Sequence, residues 1–470
     1  MPNQAGRMVT NSGTTTAKWA RHLIPRAIFI GYGLGFIIMG HLLLVSRSAH
    51  RSKDEKVDSE FVSSESFSVS GLAEKTTEEE EEDKGDTKCE PELFPPKYWT
   101  GRFNYSPPVE AASQVSETRQ PGQAMFGTIA AQREIWRHQH PSSCENKKFL
   151  VYLMLGWANG IGSSLHVATV ALRLALDTDR ILILYPTPNH RWMKGKFCDD
   201  YDTMDACYFE PFTSCSIYDI FGGKLPAWDD IPAIELGGAN DQSNLTVLSS
   251  HVNSIGSYFQ IISGAPDRFL KFFPLSGMRG DHWYHWWRAQ AVAYMVRPNL
   301  RTLRELDSRR QLLFCNKPID PGTISIHIRH GDKWKESTLV ADEVYLRLAE
   351  ELLEKFPDIA TRNIFLSTED PNSVQFFAKV TNWNVSWTNV SRVDDSTISP
   401  MDYAERIGWT EEYLNSLLSL ELALECDAFV GMYSSNWNRL INELRSTVRC
   451  KSHFPYVDVH QGWYINDCGW

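Results

Sequence analysis

Apolar positions in this chain fall into three regimes. Residues 27–45 ("AIFIGYGLGFIIMGHLLLV") run for 19 positions without a formal charge. A helix rising ~1.5 Å per residue over that length crosses a hydrocarbon layer of ~30 Å. The run exceeds the ~7–15 apolar residues of a cleavable signal peptide, and "SRSAH" after it is a poor cleavage site. The pattern predicts an uncleaved transmembrane signal anchor preceded by a cytoplasmic tail, residues 1–26. Residues 46–92, rich in Ser, Glu and Lys, lack the apolar surface needed to fold and predict a disordered acidic stem. From residue 93 onward, short apolar runs alternate with helical periodicity, the pattern of an α/β protein.

Residues 149–155 ("FLVYLML") read as a buried strand, "GWANGIGSS" as a glycine-bearing turn, 165–176 as a helix and 180–185 as a second strand. That order is one βαβ unit. Its turn is not the dinucleotide fingerprint, because Gly160-Ile161-Gly162 lacks the third glycine. The second half repeats the alternation, with strands at 323–329, 363–367, 383–387 and 427–432 and helices at 342–355, 372–379, 411–425 and 437–445. The expectation is two α/β domains, an N-terminal one at 93–310 and a C-terminal Rossmann-like one at 311–470. A site is expected between them, at the carboxyl ends of strands.

Charge narrows the partners. The formal net charge is −11, and residues 54–92 hold 15 acidic against 4 basic side chains, which accounts for all of it. No basic excess remains for nucleic acid, whose phosphates demand clustered Lys and Arg. Four Asn-x-Ser/Thr sequons, at Asn104, Asn244, Asn384 and Asn389, and nine cysteines, with Cys198, Cys207 and Cys215 closely spaced, suit a secretory lumen and predict bridges. Lys and Arg are balanced on either side of residues 27–45, so topology rests on these luminal features.

The densest chemistry is "ISIHIRHGDK", residues 324–333. A period of two puts His327 and Arg329 on one face of the strand, at the end where ligands bind. Arginine offers a planar, permanently charged fork matched to a diphosphate. A metal site of His327, His330 and Asp332 competes, as does an ion pair between Arg329 and Asp332. Glu336, beside Lys333, is a candidate proton acceptor for a hydroxyl, or a simple i,i+3 pair. "IFLSTEDP" brings Ser367 to Asp370 to a second strand end, and "FVGMYSSNW" brings Ser434 and Ser435 to a helix start that suits an anion. Asp200-Tyr-Asp202, a DxD-type pattern, follows "KGKFC" and no apolar strand, so it reads as a chance match.

Together, "NGIGSSLHVATVALRLALDTDRILIL", "WYHWWRAQAVAYMVRP", "SIHIRHGDK", "IFLSTEDP" and "CDAFVGMYSSNWNRLINEL" resemble the α1,6-fucosyltransferase family, enzymes that transfer fucose from GDP-fucose to N-glycan core N-acetylglucosamine. The resemblance runs through much of residues 145–450. It implies a GT-B-like pair of Rossmann-type domains, acceptor side first, and transfer with inversion that needs no metal or cofactor beyond the GDP-fucose donor. It also implies a glycoprotein N-glycan acceptor and a single-pass type II Golgi membrane protein with a luminal catalytic region. By the same resemblance, His327 lies at the guanine, Arg329 at the β-phosphate and Ser435 at the phosphates. Asp332 and Lys333 belong to the motif, Glu336 is the base linked to Lys333, and Asp370, His330 and Ser434 lie in the donor pocket, with Gly160, Ile161 and Gly162 lining it. His330 stands where the family usually has a second arginine. Ser419 stands where it has a guanine-gripping aspartate, with Glu421 the nearest acid. Transfer to another linkage or to protein, and an inactive carbohydrate-binding protein, are the alternatives.

Overall fold

The structure is a computed structural model that describes residues 124–464, apart from 126, 155–159, 188–189, 228–229, 231–244, 250–264, 271–279, 393–398 and 461. The chain divides into two compact units, Met1–Glu79 and Glu80–Trp470, and every described residue belongs to the second. The expected tail, anchor and stem lie outside the described residues, as do Asn104 and Asn244. Among the described residues no helix is long and apolar enough to cross a membrane. The other two sequon asparagines, Asn384 and Asn389, are exposed.

Two sheets carry the fold. The smaller is fully parallel, in the order β2-β1-β3, from β1 (Phe149–Leu153), β2 (Ile181–Leu184) and β3 (Leu245–Ser249). β1 and β2 are buried along their whole length, which is why they read as continuous apolar runs. The larger sheet comprises β4 (Ile324–Ile328), β5 (Asn363–Thr368), β6 (Asn384–Ser386), β7 (Ala428–Gly431), β8 (Tyr456–Asp458) and β9 (Gly462–Tyr464). Its order is β6-β5-β4-β7-β8-β9, parallel except for β9. From β4 the chain winds outward first through β5 and β6, then on the other side through β7 and β8. The direction reverses at β4, so a crevice opens at its carboxyl end, next to those of β5 and β7.

Most expected elements appear within a residue or two, and Asp342–Lys355 is a helix as expected. The helix expected at 165–176 begins four residues earlier, as Ile161–Asp177, because Gly162, Ser163 and Ser164 in its first turn interrupt the apolar pattern. β3, β8 and β9 and the helices Thr128–Gln139, Gly280–Met295 and Leu300–Phe314 went unread. The helix Leu300–Phe314 spans positions 310 and 311 and packs on the helix Trp409–Glu425.

One hydrophobic core extends from Ala124 to Tyr456 and draws on both halves. At its centre the helices Ile161–Asp177, Gly280–Met295 and Asn436–Ser446 pack on one another. A fully buried charge cluster ties the three together: Arg288 Nε donates to Glu443, and His166 Nε2 lies 2.8 Å from the same carboxylate. Burial alone would favour the neutral acid, but Arg288 and His166 outweigh it and hold Glu443 at about 2. The cysteine cluster does form bridges, Cys198–Cys207 and Cys144–Cys215; Cys450 is bridged, and Cys315 and Cys426 are free.

Candidate functional site

A cavity of about 320 Å3 occupies the crevice at the end of β4. Its floor comes from three strand ends: His327 and Arg329 at β4, Ser367, Thr368 and Glu369 at β5, and Ser435 after β7. Gly160, Ile161, Gly162 and Ser163 close it from the first half. The helices Ile161–Asp177 and Asn436–Ser446 both begin at this cavity, and neither N-cap, Gly160 or Ser435, makes a side-chain cap hydrogen bond. Two helix starts thus present unsatisfied N–H groups and positive dipole ends to one space, favouring an anion. Their approach requires glycine, since a Cβ on Gly162 would lie 3.1 Å from the backbone of Asn436 and Trp437.

His327 is buried, and Asn438 Nδ2 donates to its Nδ1 across 2.9 Å. With Nδ1 accepting, the proton sits on Nε2. Burial, reinforced by Arg329, pushes its pKa down to about 3, so the ring is a neutral donor and acceptor. Arg329 does not offer an open fork. Its Nη1 donates to Glu369 at 2.5 Å and to the His330 carbonyl at 3.1 Å, and its Nη2 donates to Asp332. Three of roughly five N–H donors are engaged, which leaves the others for a ligand. The ion pair and the ligand site, rivals in the sequence, coexist here. Lys333 Nζ, largely buried, sits 2.5 Å from Glu336 Oε2 and 3.4 Å from the Ser434 carbonyl, whereas the Glu336 side chain is 66% exposed at the mouth.

Three expected donor-site residues do not line the cavity. His330 turns to Asp370 (2.8 Å) and the Val340 carbonyl (2.9 Å) and does not line the cavity. Burial opposes charge on this ring, but Asp370, Val340 and Asp342 prevail and raise it to about 9. The chain therefore keeps a cation at this position but commits it to a structural pair. Asp370 is used twice, by His330 and as the N-cap of the helix Pro371–Ala378, where it accepts from Asn372 N at 2.8 Å. Ser434 is exposed and contributes only its carbonyl. His327, His330 and Asp332 go to separate partners, and no metal-binding group of three His, Cys, Asp or Glu forms among the described residues. Asp202 of the DxD pattern accepts from Tyr218 at 2.7 Å and is not at the cavity.

Ser419 does line the cavity and bonds to Ser367. Glu421, by contrast, is buried away from it. Glu412, Asn415, Ser416 and Ser419 form a polar stripe at helical spacing on an otherwise buried helix, and all four face the cavity. That stripe was the available signal for residues the sequence reading missed. Thr388, Val390, Arg392, Met401 and Tyr403 complete this end.

A doubly wound sheet with cations and helix starts at its switch point defines an α/β protein with a cavity suited to an anion. No family model matches the chain. The chain is similar to an alpha-(1,6)-fucosyltransferase of Drosophila melanogaster, at 24% identity over 322 residues, covering 67% of this chain and 46% of the relative. It thus spans about half the length of that curated relative. Among solved structures it is similar to the fucosyltransferase NodZ from Bradyrhizobium, at 13% identity and TM-score 0.35, over 67% of this chain and 94% of NodZ. An Arabidopsis thaliana FUT1 mutant in complex with GDP is 12% identical with TM-score 0.36, over 75% of this chain and 83% of that one.

Proposed function

We propose that this chain is a glycosyltransferase that moves fucose from GDP-fucose to a glycan hydroxyl, with inversion and without a metal, in α1,6 linkage to the core N-acetylglucosamine of an N-glycan. The observation that carries it is the convergence on one cavity of Arg329, Lys333 and two uncapped helix starts, with the exposed carboxylate of Glu336 at the mouth. The similarity to an alpha-(1,6)-fucosyltransferase supports the choice of sugar and linkage.

In this reading the diphosphate lies against the free N–H groups of Arg329 and the start of the helix Asn436–Ser446. These groups meet the charge that grows on the leaving phosphate as the glycosidic bond breaks, where fixed donors and cations lower a barrier most. Glu336, held by Lys333, takes the proton of the acceptor hydroxyl as that oxygen attacks the anomeric carbon from the face opposite the diphosphate. Cations and helix ends supply the charge neutralisation that a divalent ion supplies elsewhere. The anchor at residues 27–45 would hold the catalytic region in the Golgi lumen as a type II protein.

The test is to incubate the chain with GDP-fucose and N-glycopeptides, with and without EDTA, and follow the acceptor by mass spectrometry. A mass gain of one deoxyhexose on the core N-acetylglucosamine, unaffected by EDTA, is expected. Transfer to protein hydroxyls instead would replace the acceptor assignment, and absence of transfer to any acceptor would sink the enzyme reading.

A further inference from the structure

Four carboxyl groups line the cavity: Asp332, Glu336, Glu369 and Glu412. Asp332 and Glu369 pair with Arg329, and Glu336 pairs with Lys333. Glu412 alone has no ion pair among the described residues. The only hydrogen bond to its carboxylate there is from Ser416 Oγ, 3.0 Å from Oε1, and the residue lines the cavity. Arg392, close by, donates instead to three carbonyls, those of Thr368, Val390 and Thr388. Holding a carboxylate in such a pocket without an ion pair is costly unless a ligand supplies donors.

Its place in the cavity identifies those donors. Pairwise contacts link these groups: Lys333 bonds to Glu336, Arg329 bonds to Glu369, the carbonyl of the neighbouring Thr368 accepts from Arg392, and Arg392 acts electrostatically on Glu412. A linear ligand with its diphosphate at Arg329 and its sugar at Glu336 places its remaining part against Glu412. There Val390, Met401 and Tyr403 offer apolar and aromatic surface suited to a flat ring. The position two helical turns on, Ser419, has no charge to give.

Resting on the function proposed above, we infer that Glu412 is the residue that selects the nucleobase of the donor, accepting the two adjacent N–H donors, N1–H and the 2-amino group, on the edge of guanine. Uracil, cytosine and adenine do not present that pair. Burial, together with Glu369 and Glu411, pushes the Glu412 carboxyl up to about 8, and two ligand N–H donors relieve that by favouring the charged form.

The experiment compares GDP, inosine diphosphate, 2′-deoxy-GDP and inorganic pyrophosphate as ligands of the full chain and of its Glu412→Gln variant. Inosine diphosphate lacks only the 2-amino group. Hydrogen bonds to a charged acceptor contribute ~1.5–3 kcal/mol, so the unaltered chain should prefer GDP to inosine diphosphate by at least ~10-fold. The glutamine variant presents an amide donor where an acceptor is required, and its preference should fall to within about twofold, with pyrophosphate affinity unchanged as evidence of an intact fold. Retention of the GDP preference by Glu412→Gln overturns the inference, as does loss of discrimination against 2′-deoxy-GDP in its place, which would assign Glu412 to the ribose. A chain that binds GDP no better than pyrophosphate overturns the proposed function and this inference together, whereas GDP selectivity indifferent to Glu412 overturns the inference alone.

Discussion

Asn438 reaches His327 only because residue 431 is glycine. The two side chains bond across 2.9 Å behind the cavity, and a Cβ on Gly431 would fall 2.1 Å from Asn438 Oδ1. β4, β7 and the helix Asn436–Ser446 are thereby locked where His327 lines the cavity. The neutral, Nε2-protonated form of His327 follows from that bond.

Gly431→Ala is expected to expel the Asn438 amide, leaving buried donor and acceptor atoms unpaired. The expected cost is ~1–3 kcal/mol in unfolding free energy, measured by urea titration, with weaker GDP binding measured by calorimetry. An unchanged unfolding midpoint would show that Asn438 can move aside freely.

Gly162→Ala tests the seam between the two helix starts. The atoms its Cβ would approach are backbone, so relief requires the helices to separate by a few tenths of an ångström. GDP affinity should drop ~10-fold or more, whereas overpacking of this size should lower the unfolding free energy by only ~1–3 kcal/mol. Comparison of the two readouts separates a ligand-site effect from general destabilisation.

His330 gives the stability a pH signature. Its folded-state pKa, about 9, lies above the ordinary value of 6.5. Its contribution is therefore complete below about pH 6.5 and is lost as pH rises through 9. Asp370 shifts the other way, chiefly because of His330, so its share is lost on acidification below the usual carboxylate range. Between pH 6.5 and 9.5 the unaltered chain should lose ~1–3 kcal/mol that His330→Gln does not lose. Parallel pH profiles for the two proteins would show the pair to be inert.

Glu336→Gln separates binding from chemistry. The residue lies at the mouth and, among the described residues, pairs only with Lys333, so GDP affinity should change less than ~3-fold while kcat falls by ~100-fold or more, the usual contribution of a positioned base. A loss confined to KM would move the base elsewhere.

The alternation of apolar strands and periodic helices was legible because buried parallel strands are apolar on both faces, as β1, β2 and β7 are. β8 and β9 were not, since three residues carry no period. The charged strand end marked the site, and His327, Arg329, Lys333, Glu336 and Ser435 meet there. What the sequence could not show was direction beyond the last strand residue. His330 follows a strand that stops at Ile328, with backbone angles of −103° and −100° that send its ring to Asp370. Nor does one residue reveal its competitors: the claim of Glu369 on Arg329 depends on β5 lying beside β4. The stripe from Glu412 to Ser419 was visible as a pattern, but a polar helix face ordinarily meets water, and only the fold shows that this one meets a cavity.

The measurement that bears most directly on the whole account is calorimetric titration of GDP, with UDP alongside, into the unaltered chain and into Arg329→Met. The account predicts that GDP binds far better than UDP and that the variant loses ~100-fold in GDP affinity, as removal of charge-assisted bonds to a phosphate requires. Equal GDP affinity for the two proteins, or a preference for UDP, would contradict the placement of a GDP-sugar at the end of β4.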